Sequence, residues 1–135
     1  MQDRELLELA AQAVGHKIYI ARQAERDAAG SGSVGLWLAS GHTCWNPLTD
    51  DGYALRLAVA LRIDVRLSFS QGTASRPHDK FVQVMVDRLG LCFSESSEND
   101  PAAATRRAIV RAAAAFADAQ RQFNDELSGP VSCNT

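Results

Sequence analysis

The stretch Trp45–Ile63 constrains the fold more than any other part of the chain. It opens on a turn signal, Asn46-Pro47. Thr49 is a candidate N-cap, and Asp50 and Asp51 then fall in the first helical turn, where the helix dipole favours negative charge. From Tyr53 to Ile63 apolar residues occupy most sides of the helix, broken by Arg56 and Arg62. A helix this apolar is mostly covered. The sequence after it is therefore expected to supply the cover, as a sheet and a second long helix packed on that sheet.

The flanking sequence fills in the layers. Asp3–Val14 repeats Leu6, Leu9, Ala10 and Ala13 at helical spacing, and Gly15 is a natural stop. Lys17–Arg22 reads as a short strand, with Ile18 and Ile20 on one face. Gln23–Ser33 reads as a polar connection, and Val34–Ala39 as a second strand. Beyond the central helix, Val65, Leu67 and Phe69 are expected to face inward from a strand over Asp64–Ser70. Lys80–Asp87 alternates strictly, with Val82, Val84 and Val86 on one side and Phe81, Gln83 and Met85 on the other. Arg88-Leu89-Gly90 turns the chain, and Leu91–Ser94 makes a hairpin partner, which argues for an antiparallel sheet. Asp100 is a plausible N-cap with Pro101 at the first helical position. The helix that follows runs to about Glu126 on a core stripe of Ile109, Ala112, Phe116 and Phe123. The fold class read from this order is α+β. An antiparallel sheet of about five strands is layered with an N-terminal helix, a central helix and a long C-terminal helix.

At 135 residues the chain reads as a single sandwich domain over residues 1–127, with 128–135 a flexible tail. A formal charge of −2 creates no strong field for a nucleic-acid polymer. The 14 basic residues are nearly all Arg, either a matter of genome composition or a preference for phosphate and carboxylate ligands. Three Cys without CxxC spacing and a charged N-terminal helix in place of a signal peptide suggest a reduced, cytoplasmic protein. No apolar run reaches the ~18 residues of a membrane helix. No spacing of His16, His42 or His78 with cysteine supports a metal site.

Arg107 and Arg111 are four residues apart and share one face of the last helix. Two parallel guanidinium groups can clamp a phosphate; the alternative is a solvated charged face. Phe81, on the strand face opposite the valines, could stack on a flat ring or pack under the N-terminal helix. Trp45 could offer a second aromatic platform or act as a hydrophobic staple at the start of the central helix. Arg56 on a mostly apolar helix needs a partner wherever it is buried. No nucleophile elbow, Walker loop or dinucleotide fingerprint is present, so no catalytic set is expected and the chain reads as a non-enzyme with no cofactor.

The run Trp45-Asn46-Pro47-Leu48-Thr49-Asp50-Asp51-Gly52-Tyr53-Ala54-Leu55-Arg56-Leu57 resembles a stretch of small phage proteins of the "phage ABA sandwich" type. Pro101-Ala102-Ala103-Ala104-Thr105-Arg106-Arg107-Ala108-Ile109 is similar to their closing helix. Within that type the arrangement looks like the anti-Thoeris sponge family. The resemblance implies a phage anti-defence protein in the host cytoplasm that sequesters a cyclic nucleotide signal without cleaving it. The signal would be a cyclic ADP-ribose isomer, or a cyclic oligonucleotide, held by a homo-dimer or hexamer. It also implies a ligand site of Phe81, Arg107 and Arg111, with Asn99 in the preceding loop and Arg56 in a second site at an oligomer interface. The alternative is a phage inhibitor that binds a host defence protein directly.

Overall fold

The computed structural model describes residues 2–30, 35–39, 44–66, 81–86, 89–96 and 100–128, the side chain of Phe81 excepted. Their order is α1 (Asp3–Ala13), α2 (Ile20–Ala28), β1 (Leu36–Trp37), β2 (Cys44–Trp45), α3 (Asp51–Leu61), β3 (Asp64–Arg66), β4 (Phe81–Val86), β5 (Leu91–Ser96) and α4 (Pro101–Ser128). The class is α+β, with four helices among the described residues. The strands do not form one sheet. β1 pairs with β2, and β3-β4-β5 form a separate antiparallel sheet. The physical reason is length: β1 and β2 are two residues each and satisfy one another, with a single bridge from Ile18 to Leu38 beside them.

The organising element is α4, not the apolar stretch that precedes the sheet. It spans about 42 Å at 1.5 Å per residue. Asp100 starts it by accepting the Ala103 N–H at 3.0 Å, as its sequence position suggests. Ala108, Ala112 and Ala113 are fully buried, and Val110 with them, so several sides of the helix are covered at once. α1, α3 and the β4–β5 side of the sheet all pack on it. The alanine run is what permits this, because small side chains let three neighbours approach one axis. α1 runs alongside α4 in the same direction: Asp3 meets Arg107 and Gln12 meets Arg121. Beyond that support the helix continues bare. Every residue from Gln120 to Ser128 is exposed, including Phe123 of the expected core stripe.

α3 begins one residue later than expected. Asp50, not Thr49, is the N-cap, and its carboxylate accepts the Tyr53 N–H at 2.9 Å. Only one side of α3 is covered. Ala54, Leu57, Ala58 and Leu61 are buried, while Leu55 and Val59 are largely exposed. The helix ends on Arg62 in the left-handed conformation, with φ 53°.

The hairpin expected over Lys80–Ser94 is present as β4 and β5, turning through Gly90 at φ 62°, where a side chain would be strained. Val82, Val84 and Val86 are buried on the side facing α4. β5 reaches two residues further than expected, to Ser96. Val65 on β3 is half-exposed, contrary to its expected inward position. Leu67, Phe69, the tail from residue 129 and the expected loop over Gln71–Asp79 lie outside the described residues.

The stretch expected as a strand and a polar connection, from Lys17 to Ser33, holds α2 instead. Ile-Ala-Arg-Gln-Ala-Glu-Arg-Asp-Ala is built almost wholly of good helix formers. Its anchor is polar. Buried Gln23 accepts the Trp37 N–H at 2.8 Å and donates to Asp27 at 3.1 Å, and Asp27 in turn holds Arg4 of α1 at 2.9 Å. Among the described residues no helix is long and apolar enough to cross a membrane.

Candidate functional site

Helical spacing puts Arg107 and Arg111 one turn apart on α4, and both project into a groove of about 560 Å³. The groove is floored by Ala114 and Ala115 of α4. Leu6 of α1 forms one wall, and Phe93 and Glu95 of β5 form the other. Asp118 lines its far end. The alanine floor is the reason a groove exists, because larger residues there would fill the space between α1 and the sheet edge.

Both guanidinium groups are held by carboxylates. Arg107 Nη2 donates to Asp3 at 2.9 Å. Arg111 Nη1 donates to Glu95 at 2.7 Å and to the Ser94 carbonyl at 3.2 Å. The Arg111 Cζ lies 5.3 Å from the centre of the Phe93 ring. Each arginine is between one third and two fifths exposed, so each pair contributes only about 0.2–1 kcal/mol to stability. The geometric consequence is larger. Both forks are aimed before any ligand arrives, and Nε and Nη2 of Arg111 have no partner among the described residues. With Glu95 bonded to Arg111 and Asp118 two turns further along α4, the groove carries both signs of charge. It suits a ligand that brings an anion to one end and hydrogen-bond donors to the other.

Phe93 is the aromatic residue that sequence reasoning missed. β4 and β5 pair Val82 with Glu95 and Val84 with Phe93, so these four share the side that meets α4. The signal was available: Leu91, Phe93 and Glu95 alternate in step with the three valines across the Gly90 turn. Phe81 begins β4 opposite Ser96, at a register position that alternates with Val82. Its side chain lies outside the described part of the structure, and so does Asn99.

Two other candidates stand apart from the groove. Trp45 is 3% exposed within the core and meets His16 edge-on at 5.4 Å, so it offers no free ring face. Arg56 is not buried. It lies on the exposed side of α3 with its Cζ 5.0 Å from the Tyr53 ring. The neighbouring Arg106, by contrast, is structural: Nε donates to the Leu48 carbonyl at 2.8 Å and Nη1 to Asp51 at 2.6 Å, which ties α4 to the start of α3.

A second charged cluster, on α1 and α2, shows an electrostatic perturbation shared by Asp27 and Arg4. The Asp27 carboxyl is held below its ordinary range, first by the hydrogen bond from Arg4 and then by that from Gln23. The Arg4 guanidinium is raised in turn, chiefly by Asp27. Among the described residues no group of three or more His, Cys, Asp or Glu could hold a metal ion.

No family model matches this sequence, and no curated protein or solved structure matches it either.

Proposed function

We propose that the chain is a stoichiometric binding protein whose groove beside α4 captures a small phosphorylated ligand bearing a flat ring, of the cyclic nucleotide class. The single observation that carries this reading is the pairing of Arg107 and Arg111, one turn apart, with the Phe93 ring in a groove of about 560 Å³. That volume falls within the roughly 300–1,000 Å³ typical of small-molecule sites. Phosphate oxygens would take over the fork positions that Asp3 and Glu95 now occupy, or would use Nε and Nη2 of Arg111, which have no partner among the described residues. The base would stack against Phe93, with Asp118 placed to accept hydrogen bonds from an exocyclic amine.

The reading is retention without turnover, through contacts made by two arginines, one ring and one carboxylate of the groove. In its full form the proposal is that of the resemblance: a phage anti-defence sponge, working as a homo-dimer or hexamer in the host cytoplasm, that sequesters a cyclic ADP-ribose isomer. Arg56 would then contribute to a site formed with a second copy, and Phe81 and Asn99 would complete the ligand contacts at the strand and loop ends.

Incubation with cyclic ADP-ribose isomers is expected to deplete them from solution, and heating the protein is expected to return them intact. Recovery of a linear or hydrolysed product would replace sequestration with catalysis. Unchanged ligand concentration at protein excess would remove the reading.

A further inference from the structure

The carboxylates around the arginine groove differ in one respect. Asp3 accepts from Arg107 at 2.9 Å, and Glu95 accepts from Arg111 at 2.7 Å. Asp118 is partly buried at the far end of the groove, yet among the described residues it has no hydrogen bond and no ion pair. Arg121, one turn further along α4, donates to Gln12 of α1 at 3.3 Å instead. A partly buried acceptor without a donor is costly. Asp118 is therefore set for donors that a ligand brings.

Its place on α4 says which donors. Positions 107, 111, 114 and 118 follow i, i+4, i+7, i+11 spacing, so the two arginines, the alanine floor and the carboxylate lie along one side of the helix. Arg111 and Asp118 are separated by about 10 Å along the axis. That is comparable to the reach from the phosphate of a nucleotide to the far edge of its base. The walls of the groove are Phe93 and Leu6. A ring stacked on Phe93 lies flat between an aromatic and an aliphatic side chain, with its edge pointing along α4. Asp118 meets that edge and not the face of the ring. An ionised carboxylate accepts hydrogen bonds on two oxygens and donates none. The edge that fits it carries two neighbouring N–H donors. Guanine has such an edge, a ring N–H beside the exocyclic amine. Adenine sets its amine beside a ring nitrogen lone pair, which a carboxylate oxygen repels.

We propose that Asp118 is the specificity-determining residue of the groove and selects a guanine base. Its two oxygens take the ring N–H and the exocyclic amine while the phosphate lies on Arg107 and Arg111. This rests on the capture reading of the groove and narrows it from a flat ring to one kind of ring edge. The adenine of a cyclic ADP-ribose isomer still gives its amine to one oxygen, so it binds more weakly than a guanine counterpart.

Calorimetric titration of the full chain with cyclic GMP and cyclic AMP tests the assignment, since the two share the same sugar and phosphate. The parent is expected to favour cyclic GMP by about tenfold or more, the discrimination of one bidentate contact to a base. Asp118→Asn offers one acceptor and one donor, the match for the amine and ring nitrogen of adenine. It is expected to reverse the preference, whereas a loss of folding would weaken both ligands without exchanging them. Arg111→Ala is expected to weaken both by about tenfold, because its contact is with the shared phosphate. Equal affinity of the parent for the two ligands, a preference for cyclic AMP, or an Asp118→Asn variant that keeps the parent's preference would overturn selection by Asp118 and leave capture standing. Full affinity of Arg111→Ala for both would put the ligand outside the groove and overturn it too. If the parent binds a cyclic ADP-ribose isomer but not cyclic GMP, the guanine assignment fails and the groove reading survives. If it binds none of the three, both fail.

Discussion

The arginines of α4 and those of α3 solve opposite problems with the same side chain. Arg106, Arg107 and Arg111 lie where elements converge, and each is fixed by an oxygen from another element: Leu48 and Asp51, Asp3, and Glu95 with Ser94. Arg56 on the outer side of α3 and Arg62 just past its end are exposed, and among the described residues the Tyr53 ring is what lies near the first of them. Converging elements therefore turn a cation into a fixed donor array, whereas a one-sided helix leaves it exposed to solvent. The first arrangement suits capture of a small ligand whose geometry must be matched.

The sharpest break in that comparison is expected at Arg106. Its side chain is 16% exposed and bridges α3 and α4 through two bonds. Arg106→Ala should cost about 1.5–3 kcal/mol, the range for hydrogen bonds to charged groups. Arg56→Ala should stay within about 0.5 kcal/mol, as for exposed positions without fixed partners. Urea unfolding of the two variants measures both. Equal losses would mean that the α3 arginine is anchored too, and the contrast would fail.

Arg111→Ala comes next. It is expected to lower affinity for a cyclic ADP-ribose isomer by about tenfold or more, the weight of one charge-assisted hydrogen bond. The stability loss should be only about 0.2–1 kcal/mol, because the pair with Glu95 is half-exposed. Calorimetric titration beside a urea melt separates the two numbers. Phe93→Leu sharpens the same point: it keeps apolar cover over the groove but removes the ring face. It should weaken the ligand more than the fold.

The contrast was only half legible in the sequence. The four-residue spacing of Arg107 and Arg111 put them on one face, and the strict alternation of Val82, Val84 and Val86 before Gly90 gave the hairpin. Both are local patterns. The groups that fix the arginines are not local: Asp3 is 104 residues from Arg107, and Glu95 is 16 from Arg111. α2 escaped because its anchor is Gln23, a buried amide, so no apolar stripe marks its inner face. The role of α4 was under-read for a related reason. Alanine carries little hydrophobic weight, yet Ala108, Ala112 and Ala113 are buried at the meeting of three neighbours. The apolar run of α3 drew attention instead, although Leu55 and Val59 face outward. Hydrophobicity along the chain ranked the helices in the wrong order because close approach depends on small side chains, not on apolar ones alone.

A smaller effect is expected at Arg62. Left-handed backbone costs a residue with a side chain about 1–2 kcal/mol. Glycine would remove that strain but lose about 0.5–1 kcal/mol through its freer unfolded state. Arg62→Gly should therefore stabilise the protein by up to about 1 kcal/mol in a thermal melt. Arg107→Gly in the interior of α4 should do the reverse, because helical backbone has no strain for glycine to relieve. If Arg62→Gly destabilises, the side chain makes a contact that holds α3, and the contrast with the arginines of α4 fails there.

The smallest effect tests the fixed-donor idea away from both regions. Arg4 is oriented by Asp27 as Arg111 is by Glu95, and that partnership leaves the Asp27 carboxyl with a depressed pKa in the folded state. A depressed folded pKa means the folded protein binds the proton less readily than the unfolded chain. The stabilisation is thus fully present above the unfolded value, near pH 4, and is lost as pH falls through the folded value. Asp27→Asn removes the charge and keeps an amide near Gln23. The gap in urea midpoint between parent and variant should hold constant from neutral pH down to about pH 4, then close on further acidification. A gap that stays open at the acid end would mean the variant perturbs packing of α2 rather than the ion pair. A gap absent at every pH would mean that Asp27 does not hold Arg4 in solution.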